Sequence, residues 1–162
     1  MTVADVMTKD VGTCAPDQLL NEAARVMWER DCGVVPIVLG GDSRQVVGVI
    51  TDRDICMAVY TKGRSLSEIS IGEVKSTKVA SCTGADDVSA AEATMQRSQV
   101  HRLPVVDDSE QLVGIISLAD IARASTRRSR GAKSDVSPLE VGETLAAIRR
   151  SRQLVAAATG NA

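Results

Sequence analysis

The chain has 162 residues, a formal net charge of −2, 44% apolar residues and 25% charged residues. That length allows one ordinary domain or two small ones, and the near-neutral balance gives no global pull toward nucleic acid or an anionic membrane. With one tryptophan, one tyrosine and no phenylalanine, the chain lacks a stacking platform for single strands, so its core must come from Val, Ile, Leu, Met and Ala.

The first ten residues hold no apolar core, and Asp5 interrupts what there is, so no secretory signal is read there. No apolar run approaches the roughly 20 residues of a bilayer span. A cytoplasmic address follows by default. Cys14, Cys32, Cys56 and Cys82 show no C-x-x-C pairing and no companion histidines. In a reducing compartment they read as small core residues, with a redox or metal role the less favoured alternative.

In chain order, an extended piece at Val11–Cys14 leads into a helix whose Leu20, Ala23, Ala24 and Met27 share one face. The β-branched runs "GVVPIVL" and "QVVGVI" follow, separated by a polar turn, and predict a hairpin. A second helix is expected from about Asp52 to Thr61. The pattern then returns: an extended piece at Val79–Cys82, a helix with Val88, Ala91 and Met95 on one face, the runs "RLPVVD" and "QLVGII", and a helix from about Leu118 to Ala124.

The return is in register. At an offset of 68, Val6 falls on Val74, Cys14 on Cys82, Met27 on Met95 and Pro36 on Pro104. Past the prolines the offset is 66, so that Gly48 meets Gly114, Thr51 meets Ser117 and Asp54 meets Asp120. The change falls in "LGGDSRQ" against "DDSEQ", where turn residues tolerate a length difference. The chain is an internal duplication of a β-α-β-β-α unit too small to be stable alone. Two copies packed together solve that problem.

After Ala124 the texture changes. "STRRSRGAKSD" is basic and without apolar period, and reads as a linker, with a nucleic-acid arm the minor alternative. Ser137, Pro138 and Glu140 then spell a helix start. Val141, Leu145, Ile148 and Val155 continue on one side of that helix, and docking onto protein is preferred to a membrane surface because no aromatic anchor is present. The divisions read from sequence are 1–68 and 69–125 for the repeats, 126–136 for the linker and 137–162 for the helix and tail.

The phrases "GVITDRDI" and "GIISLADI" place a hydroxyl three residues before a carboxylate where a strand meets a helix. Structurally this is a capping box. Functionally, a helix N-terminus seats phosphate, and a carboxylate accepts hydrogen bonds from the two hydroxyls of a ribose.

The duplicated unit, with its proline-led hairpin and closing G-x-x-[ST]-x-x-D, resembles the CBS domain, and the tandem over about residues 3 to 124 resembles a Bateman module. The resemblance implies an α/β (α+β) fold of two β-α-β-β-α repeats packed sheet to sheet with pseudo-two-fold symmetry, plus the C-terminal helix. It also implies two clefts that hold AMP, ADP or ATP, or in some members S-adenosylmethionine. Carried over by position, Asp54 and Asp120 become ribose ligands with Thr51 and Ser117 beside them, and backbone near Thr13 and Ser81 reads the adenine edge. A His-Arg pair before the second proline faces phosphates in nucleotide-binding members, which implies that role for His101 and Arg102. The first repeat has Gly33 and Val34 there, with Arg53 as partial compensation. Bland alternatives stand beside these: an edge histidine and a solvated arginine.

The resulting expectation is a stand-alone regulatory module that senses an adenosine ligand, needs no metal or cofactor, forms a homodimer and signals to an unidentified effector protein. A structural or oligomerising module with empty clefts is the alternative. No nucleophile–base pair, metal spacing or phosphate-binding glycine loop points to an enzyme.

Overall fold

The computed structural model describes residues 1–41, 43–127 and 137–149. Most of the expected linker, together with Val155 and the tail, lies outside the described residues. In chain order the elements are α1 (Leu20–Glu29), β1 (Val34–Val38), β2 (Val46–Thr51), α2 (Asp52–Lys62), β3 (Cys82–Thr83), α3 (Val88–Ser98), β4 (Arg102–Val106), β5 (Leu112–Ser117), α4 (Leu118–Arg127) and α5 (Pro138–Ile148). Short 3₁₀ turns at Val3–Asp5 and Ile71–Glu73 precede the two repeats. No described helix is long and apolar enough to cross a membrane.

Each predicted hairpin forms, and the duplication extends to its irregularities. β1 and β2 pair antiparallel with a register shift between Ile37 and Val38. β4 and β5 copy it, with the shift between Val105 and Val106. The extended piece before each first helix lies parallel to the hairpin, as the Cys14–Ile37 bridge in one repeat and as β3 against β4 in the other. In the first repeat Cys14 N–H donates to Pro36 O (3.3 Å) and Val38 N–H to Cys14 O (2.9 Å).

Two apolar cores form, one under each sheet. Leu20, Ala23, Met27, Val35, Ile37, Ile50 and Ile55 build the first, and Val88, Ala91, Met95, Leu103, Val105, Ile116 and Ile121 the second. The faces read from sequence for α1 and α3 are the buried ones. Each large fully buried side chain contributes about 1.5–3 kcal/mol.

The leading turns are exchanged between repeats. Val3 packs in the second core, and Ile69 and Ile71 pack in the first. Their hydrogen bonds are equivalent in the two places. Val3 N–H donates to Asp86 O (2.9 Å) and Ile71 N–H to Gln18 O (2.8 Å), while Val88 N–H donates to Met1 O (3.1 Å) and Leu20 N–H to Ile69 O (3.0 Å). The chain then crosses between the sheets. Thr8 bridges Ile115 before Cys14 reaches β1, and Ser76 bridges Val49 before Cys82 reaches β4. The hairpins also touch through a Gln45–Gln111 bridge.

α5 folds back onto α3 and α4. Its inward stripe differs from the one read in the sequence. Ile148 is buried and Val141 packs against the second core, but Leu145 is 44% exposed and Thr144 takes the inward place. The reason is polar: Gln96 Nε2 donates to Thr144 Oγ1 (2.7 Å), and that hydroxyl donates to Glu92 Oε1 (3.4 Å). The cysteines also divide differently from the reading. Cys14 and Cys82 are core residues, Cys32 is half-buried and Cys56 is exposed, because α2 turns its neighbours Ile55 and Ala58 inward instead.

Candidate functional site

The two phrases that close the hairpins fold alike. β2 ends at Thr51, whose extended backbone makes it the N-cap of α2. Asp54 Oδ2 accepts from Thr51 N–H (2.9 Å) and Thr51 Oγ1 (2.7 Å), while Asp54 N–H donates to Thr51 Oγ1 (3.2 Å). At the start of α4, Asp120 Oδ2 accepts from Ser117 N–H (2.8 Å) and Ser117 Oγ (2.5 Å), and Asp120 N–H donates to Ser117 Oγ (3.1 Å). Both are complete capping boxes, and each gives about 1 kcal/mol. The capping role therefore holds, and it occupies only one oxygen of each carboxylate.

The second oxygens differ. Asp54 Oδ1 has no hydrogen-bond partner among the described residues, whereas Asp120 Oδ1 is paired with the guanidinium of Arg123. The position equivalent to Arg123 in the first repeat is Met57. Sequence reasoning did not single out this pair; a comparison of the third residue after each aspartate is the signal that finds it.

The junctions before the helices differ as well. Gly33 O accepts from Asp52 N–H (3.3 Å), and His101 O accepts equivalently from Leu118 N–H (2.9 Å). A Cβ on Gly33 would lie 3.0 Å from Asp52 Oδ2. The first junction thus has no side chain where the second carries an imidazole. Burial holds His101 below its ordinary value of 6.5, and Arg149 and Arg102 push the same way. His101 is neutral at pH 7, offering one ring N–H and no charge.

An open cleft of about 410 Å³ lies at the first junction, lined by Met27, Trp28, Asp31, Cys32, Gly33, Asp52 and Arg102. Its size is within the ordinary range for small-ligand sites. Six of those residues come from the first repeat and Arg102 from the second, so the cleft lies between the repeats. Arg102 opens β4 opposite Ser117 and is exposed. It brings a guanidinium, with its planar fork of donors, to a site otherwise charged by Asp31 and Asp52. Trp28, 88% exposed, stands at the rim.

The other sequence-predicted residues fall around this arrangement. Arg53 is exposed in the first turn of α2, where its backbone N–H donates to Asp52 Oδ1 (2.7 Å). Thr13 lies on the crossing that leaves β5 at Thr8 and joins β1 at Cys14. Ser81 lies on the crossing that leaves β2 at Ser76 and joins β4 at Cys82. Each crossing starts two residues before the capping hydroxyl of the opposite repeat, so connectivity associates Thr13 with Ser117 and Ser81 with Thr51. Among the described residues, no group of three or more His, Cys, Asp or Glu is placed to hold a metal ion. Burial raises the Cys14 thiol to about 11 and the Cys82 thiol to about 12, leaving both protonated and unreactive.

Comparison with known proteins places this geometry in a family. The CBS domain signature matches residues 3–61 and 71–127. The CBS domain-containing protein YhcV of Bacillus subtilis is 36% identical over 121 residues, covering 75% of this chain and 83% of that protein. The CBS domain pair of MJ0100, solved with 5′-methylthioadenosine and S-adenosyl-L-methionine, is 27% identical with a TM-score of 0.68, over 76% of this chain and 94% of that one. CBSX2, solved with AMP, shares the fold at 23% identity with a TM-score of 0.67, over 80% of this chain and 98% of that one. The matched residues are the two repeats described above, and this chain belongs to the CBS domain family as a tandem CBS pair.

Proposed function

We propose that the chain is a regulatory binding module that takes an adenosine nucleotide, of the AMP, ADP or ATP kind, between its repeats and transmits the binding to a partner protein. One observation carries the reading. In a CBS pair, an open cleft at the N-terminus of α2 is lined by Asp52 and by Arg102 from the other repeat, and Asp54 in the first turn of the same helix makes its capping bonds through Oδ2 alone. The carboxylate suits vicinal ribose hydroxyls, and the guanidinium suits phosphate. Met27 and Trp28 are the large apolar side chains that the cleft offers to a base. The AMP in CBSX2 lends the fold as precedent.

Ligand contacts drawn from both repeats favour one relative orientation of the sheets, and only this differential affinity moves the equilibrium that a partner reads. S-adenosylmethionine is the second reading, favoured by the likeness to MJ0100. Our reading includes a homodimer, supported by Met57, Tyr60 and Trp28 being exposed on α1 and α2 while α5 covers α3 and α4. The four free cysteines agree with a cytoplasmic, reducing setting.

Calorimetric titration with AMP, ADP, ATP and S-adenosylmethionine tests the function. Saturable binding of an adenosine nucleotide is expected, and ligand at 100 times its dissociation constant adds about 2.7 kcal/mol to stability. Absence of heat and of any thermal shift with all four ligands contradicts the reading and leaves a structural module.

A further inference from the structure

We infer that α5 is a proton-controlled latch, a helix beyond the CBS repeats that stays docked on α3 and α4 while Glu92 carries its proton and lets go when that carboxyl ionises. The latch is independent of which ligand the repeats bind. The CBS signature ends at residue 127, and α5 follows it in the chain. Each repeat already has its own two helices and hairpin. The attachment of α5 is slight: Thr144 and Ile148 are its buried residues and Val141 packs against the second core, while Leu139 is 71% exposed.

The seam between α3 and α5 is built around a carboxyl with no counter-charge. Glu92 of α3 is buried there. Thr144 Oγ1 accepts from Gln96 Nε2 (2.7 Å) and gives its single proton to Glu92 Oε1 (3.4 Å). The described basic side chains of these helices are engaged elsewhere. Arg97 of α3 donates to Thr94 Oγ1 (3.0 Å), Arg123 of α4 pairs with Asp120, and Arg149 at the end of α5 acts on His101. On α5, Glu143 is exposed and Glu140 acts on Glu92 with a like charge. An ionised Glu92 would thus exchange its water for one long hydrogen bond and no cation, which is costly. Burial raises this carboxyl above its ordinary 4.5, the Thr144 hydroxyl opposes the rise, and Glu140 adds to it. Undocking α5 returns Glu92 to water and removes Glu140 from it. Docking is therefore strongest below pH 4.5 and weakens as pH rises through the higher value that Glu92 has under α5. Once released, an 11-residue helix with Gly142 in its interior is too short to keep its hydrogen bonds in water. Release therefore unwinds α5 and uncovers the face of α3 and α4.

The test is amide hydrogen exchange of the full chain from about pH 4.5 to about pH 8, corrected for the intrinsic rate at each pH. In wild type, the protection of α5 is expected to fall with rising pH, by up to about tenfold per unit for one proton, and then to level. The amides of α1, in the other repeat, are expected to keep their protection across the same range. Glu92→Gln, and Glu92→Met as an apolar variant of similar length, are expected to abolish the fall in α5. A thermal melt identifies a variant that fails to fold, and the other then decides. Protection of α5 that does not change with pH in wild type, or a fall of wild-type slope in a folded variant, overturns the inference. Loss of protection in α1 together with α5 also overturns it, because the whole chain is then opening rather than the latch.

Discussion

Gly114 and Met7 approach so closely that a Cβ built on the glycine would lie 2.6 Å from the methionine Sδ and 3.0 Å from Thr8 O. The first repeat's leading segment crosses the second repeat's sheet at this point. Gly48 takes the reciprocal crossing, with Ser76 O at 2.9 Å and the Lys75 Cδ at 2.8 Å. The glycine that opens each eight-residue phrase is there for the close approach, while the hydroxyl and carboxylate that follow shape the helix start.

Gly114→Ala therefore makes the Met7 side chain move and crowds the Thr8 carbonyl. A loss of about 1–3 kcal/mol is expected, the usual cost of overpacking. Urea unfolding measures it through a lowered midpoint at unchanged slope. A neutral substitution would mean that the crossing is loose.

Thr51→Ala and Ser117→Ala each remove the hydroxyl that caps a helix and binds its aspartate. Each is expected to cost about 1 kcal/mol. Denaturant titration of the two variants gives the comparison. Near-wild-type midpoints for both would contradict the capping geometry.

Glu92 is a buried acid between α3 and α5, only 5% exposed. Burial raises its pKa above the ordinary 4.5, Thr144 opposes that, and Glu140 adds to it. The folded state thus holds the proton more tightly than the unfolded chain, and stability falls as pH rises upward from about 4.5 through the folded value. Glu92→Gln is expected to remove this decline and to exceed wild type in melting temperature at pH 7. A variant whose pH profile runs parallel to that of wild type would count against the burial.

His101 has the opposite sense. Its folded pKa lies below 6.5, so the unfolded chain binds the proton first, and stability is lost as pH falls below 6.5 toward the folded value. Because it is the sole histidine, its imidazole proton resonance can be followed without assignment. A titration midpoint below 6.5 is expected; one above 6.5 would show an unrecognised acidic neighbour.

The repeat, both hairpins, the buried faces of α1 and α3 and the caps were legible in the sequence, because each rests on local spacing or turn chemistry. The exchange of leading turns was not. Val3 and Ile71 are equivalent in the repeat, and nothing in their neighbours says which sheet each will join. The inward turn of Thr144 was hidden for a related reason. Apolar periodicity selects Leu145, and only the fold brings Glu92 and Gln96 to the hydroxyl. Within the site, Asp54 and Asp120 read as twins, and their difference arises from Arg123 against Met57, residues outside the shared motif. Trp28 reads as one isolated aromatic on a helix until the junction at Gly33 places a cleft beside it.

Crystallisation of the chain with AMP tests the central claim most directly. The expected density has the ribose hydroxyls on Asp54 Oδ1 and the phosphate directed at the Arg102 guanidinium, between the repeats. AMP bound away from Asp54, or a cleft that stays empty at saturating nucleotide, would contradict the account.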